Sequence, residues 1–212
     1  MADLILALDV KGSAEAVRIT NACEGELDAI KIGYPLVLSA GLEIVKELSK
    51  AEIPIIADFK VADIPNTNKL ICDEVFSAGC FGIITHAFCG HDSLAAIVDS
   101  AHDYGGEAYV VCEMSHPGAL DFLSGANAEK MAKMAKDAGA DGIIAPATRP
   151  ERTAVLRNII GNKMKICSPG VGAQGAQPED VKKYVDAIIV GRAIYESPDP
   201  KKAAHDFKIR CL

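Results

Sequence analysis

Tryptophan is missing from this sequence, and aromatic residues make up only 5% of it, although half of its 212 residues are hydrophobic. Aliphatic side chains must therefore fill the interior, and the length suffices for one sizeable core. Long apolar runs are absent too: none approaches the roughly 20 residues needed to cross a bilayer. Positive charge is in deficit, with a net charge of −7 and no run of basic residues. That argues against nucleic acid or an anionic membrane as partner, since neither binds an acidic surface without a local basic patch. An anionic small molecule would need a cationic pocket of its own. The seven cysteines (Cys23, Cys72, Cys80, Cys89, Cys112, Cys167, Cys211) never form a C-x-x-C pair and are odd in number. Several sit inside apolar runs such as Tyr109-Val110-Val111-Cys112. Buried reduced thiols in a reducing cytoplasm are the expectation. The opening Met1-Ala2-Asp3-Leu4 has no basic segment ahead of a hydrophobic one, so no signal peptide is expected.

What the sequence does have is alternation. Short, wholly apolar runs at 4–9, 28–33, 53–60, 82–86, 108–113, 142–145, 165–168 and 187–191 read as strands buried on both faces, as parallel strands under helices are. Amphipathic stretches at 13–23, 35–50, 68–77 and 128–138 read as helices, with Ser13 and Asn127 as N-caps and Gly79 and Gly139 as C-terminal stops. The pattern echoes itself. Ala78-Gly79-Cys80-Phe81-Gly82-Ile83-Ile84 is similar to Ala138-Gly139-Ala140-Asp141-Gly142-Ile143-Ile144, and Asp28-Ala29-Ile30 returns as Asp186-Ala187-Ile188. Repetition of helix stop and buried strand predicts an α/β fold, a single (β/α)8 TIM barrel spanning 1–212, near that fold's lower limit of about 200 residues. An open doubly wound sheet would favour a glycine-rich loop after the first strand, where Asp9-Val10-Lys11-Gly12 offers one glycine.

Barrel chemistry sits at the C-terminal ends of the strands. The first run ends in Asp9, the second carries Lys31 between Ile30 and Ile32, and the third ends in Asp58-Phe59-Lys60-Val61-Ala62-Asp63. A period of two puts Asp58 and Lys60 on one face, continuing the row of Ile56. Lys31, bracketed by isoleucines, requires a carboxylate partner if its strand is buried. One such pair would read as an ion pair holding the barrel mouth. Two lysines and three aspartates converging at strand ends read instead as a catalytic cluster. Lys60 lies between Asp58 and Asp63, which favour its charged form, so it reads as a proton donor rather than a Schiff-base nucleophile.

After the seventh run comes Ser168-Pro169-Gly170-Val171-Gly172-Ala173-Gln174-Gly175, and Gly191-Arg192 follows the eighth. Phosphate sites of this fold are often built from these two loops and a short helix N-terminus. Arg192 adds a charge-assisted contact, and the loop is long enough to act as a lid with Gln174 on its inner side.

On Leu6-Ala7-Leu8-Asp9, Lys31-Ile32-Gly33, Asp58-Phe59-Lys60-Val61-Ala62-Asp63-Ile64-Pro65, Glu113-Met114-Ser115-His116-Pro117-Gly118, the 168–175 loop and Val190-Gly191-Arg192, the chain resembles the archaeal orotidine 5'-phosphate decarboxylase family over essentially its whole length. The resemblance implies decarboxylation of orotidine 5'-monophosphate to UMP and CO2 with no metal and no organic cofactor. It implies that Lys60 delivers the proton to pyrimidine C6 and that Asp58 faces the scissile carboxylate. Lys31 and Asp9 engage the ribose hydroxyls, Ser115 the pyrimidine edge, and Pro169 lines its pocket. Gln174, Gly191 and Arg192 hold the phosphate. Asp63 and Thr67 reach across a homodimer interface into the partner's site.

The competing reading is a Mg2+-dependent sugar-phosphate decarboxylase or aldolase of the same superfamily. Those enzymes resemble one another in carrying an acidic residue on the second strand, where Lys31 stands here, and a lysine disfavours a nearby cation. A non-catalytic nucleotide sensor would not need Lys60 and its aspartates. His86 reads as a packed or hydrogen-bonded residue, and His91, His102, His116 and His205 have no metal-ligand spacing. Arg149 and Arg152 read as a solvated first helical turn, and Ser115 beside His116 as a hydrogen-bonding group rather than a nucleophile.

Overall fold

The computed structural model describes residues 2–211. Eight parallel strands close into a barrel in sequence order: β1 (Asp3–Ala7), β2 (Ala29–Gly33), β3 (Ile55–Val61), β4 (Gly82–His86), β5 (Glu107–Val111), β6 (Gly142–Ile144), β7 (Lys165–Pro169) and β8 (Ala187–Val190), with β8 pairing back on β1. The helices outside are α1 (Ser13–Ala22), α2 (Tyr34–Ala40), α3 (Ile44–Leu48), α4 (Pro65–Ser77), α5 (His91–Asp103), α6 (Gly125–Asp137), α7 (Pro150–Ile160), α8 (Pro178–Val181), α9 (Arg192–Tyr195) and α10 (Pro200–Arg210). Among the described residues, no helix is long and apolar enough to cross a membrane.

Both faces of each strand are buried, as the unbroken apolar runs require. Leu4, Leu6, Ile30, Ile32, Ile83 and Ile188 pack outward under the helices. Ile5, Ile56, Ile84, Tyr109, Val111, Ile144, Cys167 and Ile189 fill the interior. Tyr109 is the largest of these, and the glycines opening β4 and β6 make room for it. A Cβ on Gly142 would lie 2.8 Å from its ring and one on Gly82 3.3 Å.

The internal echoes have two physical sources. Gly79, Gly105 and Gly139 each take positive φ just past a helix. The amides of Gly79 and Cys80 bond back to Phe76 and Val75, and those of Gly139 and Ala140 to Lys136 and Ala135, the pattern of a Schellman stop. The aspartates that precede β2, β6 and β8 are the second source. Asp28, Asp141 and Asp186 accept from the amides of Leu4 (2.8 Å), Ala108 (2.8 Å) and Ile166 (2.7 Å), satisfying the first free N–H of the preceding strand.

Several expected boundaries move. The stretch at 35–50 is two helices, because Gly41 at φ 74° breaks it. Helix α4 starts at Pro65, three residues before the expected 68, since proline's fixed φ suits a first helical position. Ser13 and Asn127 are not N-caps: Gly12 and Ser124 hold those positions, and the Asn127 amide donates to Phe122 O. Gly79 and Gly139 do stop their helices.

Candidate active site

Lys31 is the residue whose environment demands most explanation. Its side chain is 8% exposed, and its ammonium lies 2.8 Å from Asp58 Oδ2 and 3.8 Å from Asp9 Oδ1. Lys60 Nζ takes the other oxygen of Asp58, Oδ1, at 2.8 Å. The carboxylate expected for Lys31 is thus Asp58, shared between two ammonium groups and itself 9% exposed. Burial pushes the Asp58 carboxyl up, but the charge and hydrogen bonds of Lys31 and Lys60 outweigh it and hold the group below its ordinary value. The row reads Lys31–Asp58–Lys60, a carboxylate locked in its ionised form between two cations.

The backbone that presents Lys60 is not the regular strand its spacing predicts. Register between β3 and β4 jumps from Ala57↔Ile83 to Val61↔Thr85, so β3 bulges, and Lys60 takes φ 44°. A non-glycine residue in the left-handed region costs on the order of 1–3 kcal/mol and persists only where its surroundings over-determine it. Here they do: Tyr34 stacks on Phe59 at 5.4 Å and donates from its hydroxyl to Phe59 O (2.8 Å), while Thr85 Oγ1 donates to Val61 O (2.8 Å).

Above the row opens a cavity of about 270 Å³. Asp9, Lys31, Asp58 and Lys60 line it from the first three strands, Ser115 from the segment after β5, Pro169 and Gln174 from β7 and its loop, and Gly191 and Arg192 from the end of β8. The loop after β7 is closed by a bridge between Val171 and Ala176, with the Gly172 amide bonding Ala176 O at 2.9 Å. It docks at Gly172 (φ 80°), where a Cβ would lie 2.9 Å from Ala193 and 3.1 Å from Phe207. Asp63 and Thr67 do not line this cavity, and Asp63 forms no ion pair with Lys60 among the described residues. Its exposed carboxylate accepts from the Ile64 amide at 2.7 Å. Within one chain, Lys60 is therefore held by Asp58 alone, and the expected bracket of two aspartates is corrected.

Three further features escape a reading of strand ends. Ala7, Ile84, Val111, Ile144 and Ile189 give the cavity an apolar floor, each belonging to the inward-facing cluster of the barrel. Tyr195 lines it next to Arg192, with burial and the charge of Asp9 pushing its hydroxyl pKa up. Beneath Met114 and Ser115, the fully buried Glu113 accepts from Arg149 Nε (2.9 Å) and Arg152 Nε (3.1 Å), and Arg149 also donates to Met114 O. These arginines are not the solvated helical turn their sequence suggests. The available signal was Glu113 itself, a carboxylate closing an apolar strand.

His86 is buried against Phe88, and its Nδ1 has no partner among the described residues. It is packed, as expected, but not hydrogen-bonded through that atom. Of the seven cysteines, Cys89 is exposed, the other six are buried, and all are unpaired.

With this geometry in place, likeness to known proteins becomes specific. Residues 2–207 match the Orotidine 5'-phosphate decarboxylase / HUMPS family. The orotidine 5'-phosphate decarboxylase of Methanococcoides burtonii is 56% identical over 202 residues, covering 95% of this chain and 93% of that protein. That of Methanocaldococcus jannaschii is 46% identical over 212 residues, 98% of each. A crystal structure of the M. jannaschii orotidine 5'-monophosphate decarboxylase complexed with inhibitor BMP superposes with a TM-score of 0.95 at 45% identity, covering 100% of this chain and 99% of that one. The chain belongs to the Orotidine 5'-phosphate decarboxylase / HUMPS family.

Proposed function

We propose that this enzyme decarboxylates orotidine 5'-monophosphate to UMP and CO2, with Lys60 as the proton donor and no metal or organic cofactor. The observation that carries the reading is the Lys31–Asp58–Lys60 row beneath a cavity that ends in the β7 and β8 loops. Both oxygens of Asp58 are taken by ammonium groups, so a divalent cation placed there would meet two positive charges. That charge arrangement disfavours the Mg2+-dependent sugar-phosphate chemistry of the superfamily.

In the proposed reaction the bond between C6 and the carboxylate breaks, its electron pair stays on C6, and CO2 leaves. The Lys60 ammonium gives its proton to C6 and regains one from solvent. Stabilisation comes from fixed charge already in place where carbanion character develops. Asp58 facing the substrate carboxylate supplies less. Two like charges at 4 Å cost about 4 kcal/mol at an effective dielectric near 20, and the two lysines offset much of that. Asp9 and Lys31 engage the ribose, Ser115 the pyrimidine edge, Pro169 packs against the ring, and Gln174, Gly191 and Arg192 hold the phosphate.

The second half of the proposal is a homodimer in which Asp63 and Thr67 complete the partner's site. Exposed Tyr34, Leu38, Ile64 and Phe88 follow the C-terminal ends of three consecutive strands, β2, β3 and β4, and supply an apolar rim beside Asp63 for a second copy to cover. The unpaired thiols suit a reducing compartment, and we place the enzyme in the cytoplasm.

Protein dialysed against EDTA and mixed with orotidine 5'-monophosphate tests the reaction directly. Loss of near-ultraviolet absorbance with stoichiometric CO2 release is expected. No turnover with or without added Mg2+, at any protein concentration, would overturn the assignment.

A further inference from the structure

The turn between β3 and α4 leaves the Asp63 side chain exposed, yet holds the Asp63 main chain with two buried side chains. Asn68 is wholly buried, and its Oδ1 accepts from the Asp63 amide at 3.1 Å. Its Nδ2 lies 3.0 Å from Asp63 O, 3.1 Å from Ser93 O and 2.8 Å from Ser93 Oγ. Ser93, 2% exposed, donates from Oγ to Asp63 O at 2.7 Å. Both main-chain polar groups of Asp63 are therefore bound by side chains of α4 and α5, and the Ile64 amide then fixes the Asp63 carboxylate. Water would satisfy the same peptide groups at an exposed turn. Burying an amide side chain is costly unless all its hydrogen bonds are made, so this arrangement is far more restrictive than a surface turn needs.

We propose that Asn68, together with Ser93, is a positioning residue that aims Asp63 at the active site of a second copy of this chain. The inference rests on the shared-site dimer proposed above and deepens it. Neither residue lines the cavity of its own chain. Their effect on chemistry is exerted in trans, through the orientation of the Asp63 carboxylate beside the partner subunit's Lys60. A positional error of this kind acts on the transition state more than on ligand affinity, so kcat falls while UMP binding stays close to normal.

The rival role is a cis one. The same turn follows directly on Lys60 and its left-handed backbone, and loosening it would then damage the chain's own site. Mixed dimers separate the two. In a dimer of one Asn68→Ala chain and one Lys60→Ala chain, the first supplies an intact Lys60 and the second an intact Asp63 turn, and both meet in a single cavity. We expect the Asn68→Ala homodimer to lose roughly ten-fold or more in kcat, and the mixed dimer to regain about half of wild-type activity. A mixed dimer of Asp63→Ala with Lys60→Ala is run beside it. Recovery with Asp63→Ala but not with Asn68→Ala would overturn the positioning role and leave the shared site standing. Recovery with neither would overturn the shared site and the inference with it. A wild-type kcat in the Asn68→Ala homodimer would also overturn the inference. Should Asn68→Ala fail to fold, Ser93→Ala, which removes one donor from the same clamp, is read by the same criteria.

Discussion

At the scale of single residues, charge and burial make separable demands on this protein. His86 sits at the end of β4 with burial first, and the charge of Lys60 second, pushing its pKa down to about 4, against a smaller upward pull from Asp58. The folded protein keeps it neutral, while the unfolded chain protonates it near its ordinary value of 6.5. Its contribution is thus complete above that value and is lost as pH falls from 6.5 towards 4. Melting temperatures across that window should decline in the wild type and decline less in His86→Gln. Equal slopes would show that the imidazole is not the group titrating. Asp58 acts in a different window, because its lowered pKa makes it a source of stability lost only as pH falls below the ordinary carboxylate value. Glu113 offers a harsher test. Its replacement by alanine strips the partly buried Arg149 of its carboxylate partner and leaves Arg152 with Glu129 at 3.1 Å, and breaking a buried pair in this way costs about 3–5 kcal/mol, measurable as a shift in urea midpoint.

Elements carry what residues alone do not. The eight strands were readable because each is apolar on both faces, and Asp9, Asp58 and Lys60 stood out as charges at the ends of such runs and Lys31 as a charge inside one. Lys31 in particular demanded a buried carboxylate and has one. The bulge in β3, the Asn68 clamp and the arginine partners of Glu113 were not readable, for a common reason. Each depends on a neighbour far along the chain, with 36 and 39 residues separating Glu113 from its arginines and 25 separating Asn68 from Ser93. Local spacing contains no trace of such pairings. The loop after β7 shows the same division. Its glycines signalled a ligand loop, but only the packing of Gly172 on Ala193 and Phe207 shows where it is anchored. Gly172→Ala adds a Cβ at 2.9 Å from Ala193 and should displace the loop. Steady-state kinetics should then show a raised KM for orotidine 5'-monophosphate, with overall stability changed little beyond the strain at that turn. An unchanged KM would mean that the loop does not grip the ligand.

For the molecule as a whole, the barrel brings a charged row and the β7 and β8 loops to one mouth, and the proposed chemistry uses both together. In the proposed reaction, binding energy gathered from the phosphate at Gln174, Gly191 and Arg192 orders the site around C6, far from the phosphate itself. Orotidine lacking the phosphate should therefore lose kcat as well as affinity, whereas a loss confined to KM would indicate that the phosphate only tethers the substrate. The most direct test of the account is single-turnover decarboxylation of orotidine 5'-monophosphate by saturating wild-type protein and by Lys60→Ala, with UMP affinity measured for each. Lys60→Ala should lower the rate by at least about 10²–10⁴-fold, the range a proton donor contributes, with UMP affinity little altered. A variant that decarboxylates at the wild-type rate would contradict that role, because the proton at C6 would then have another source.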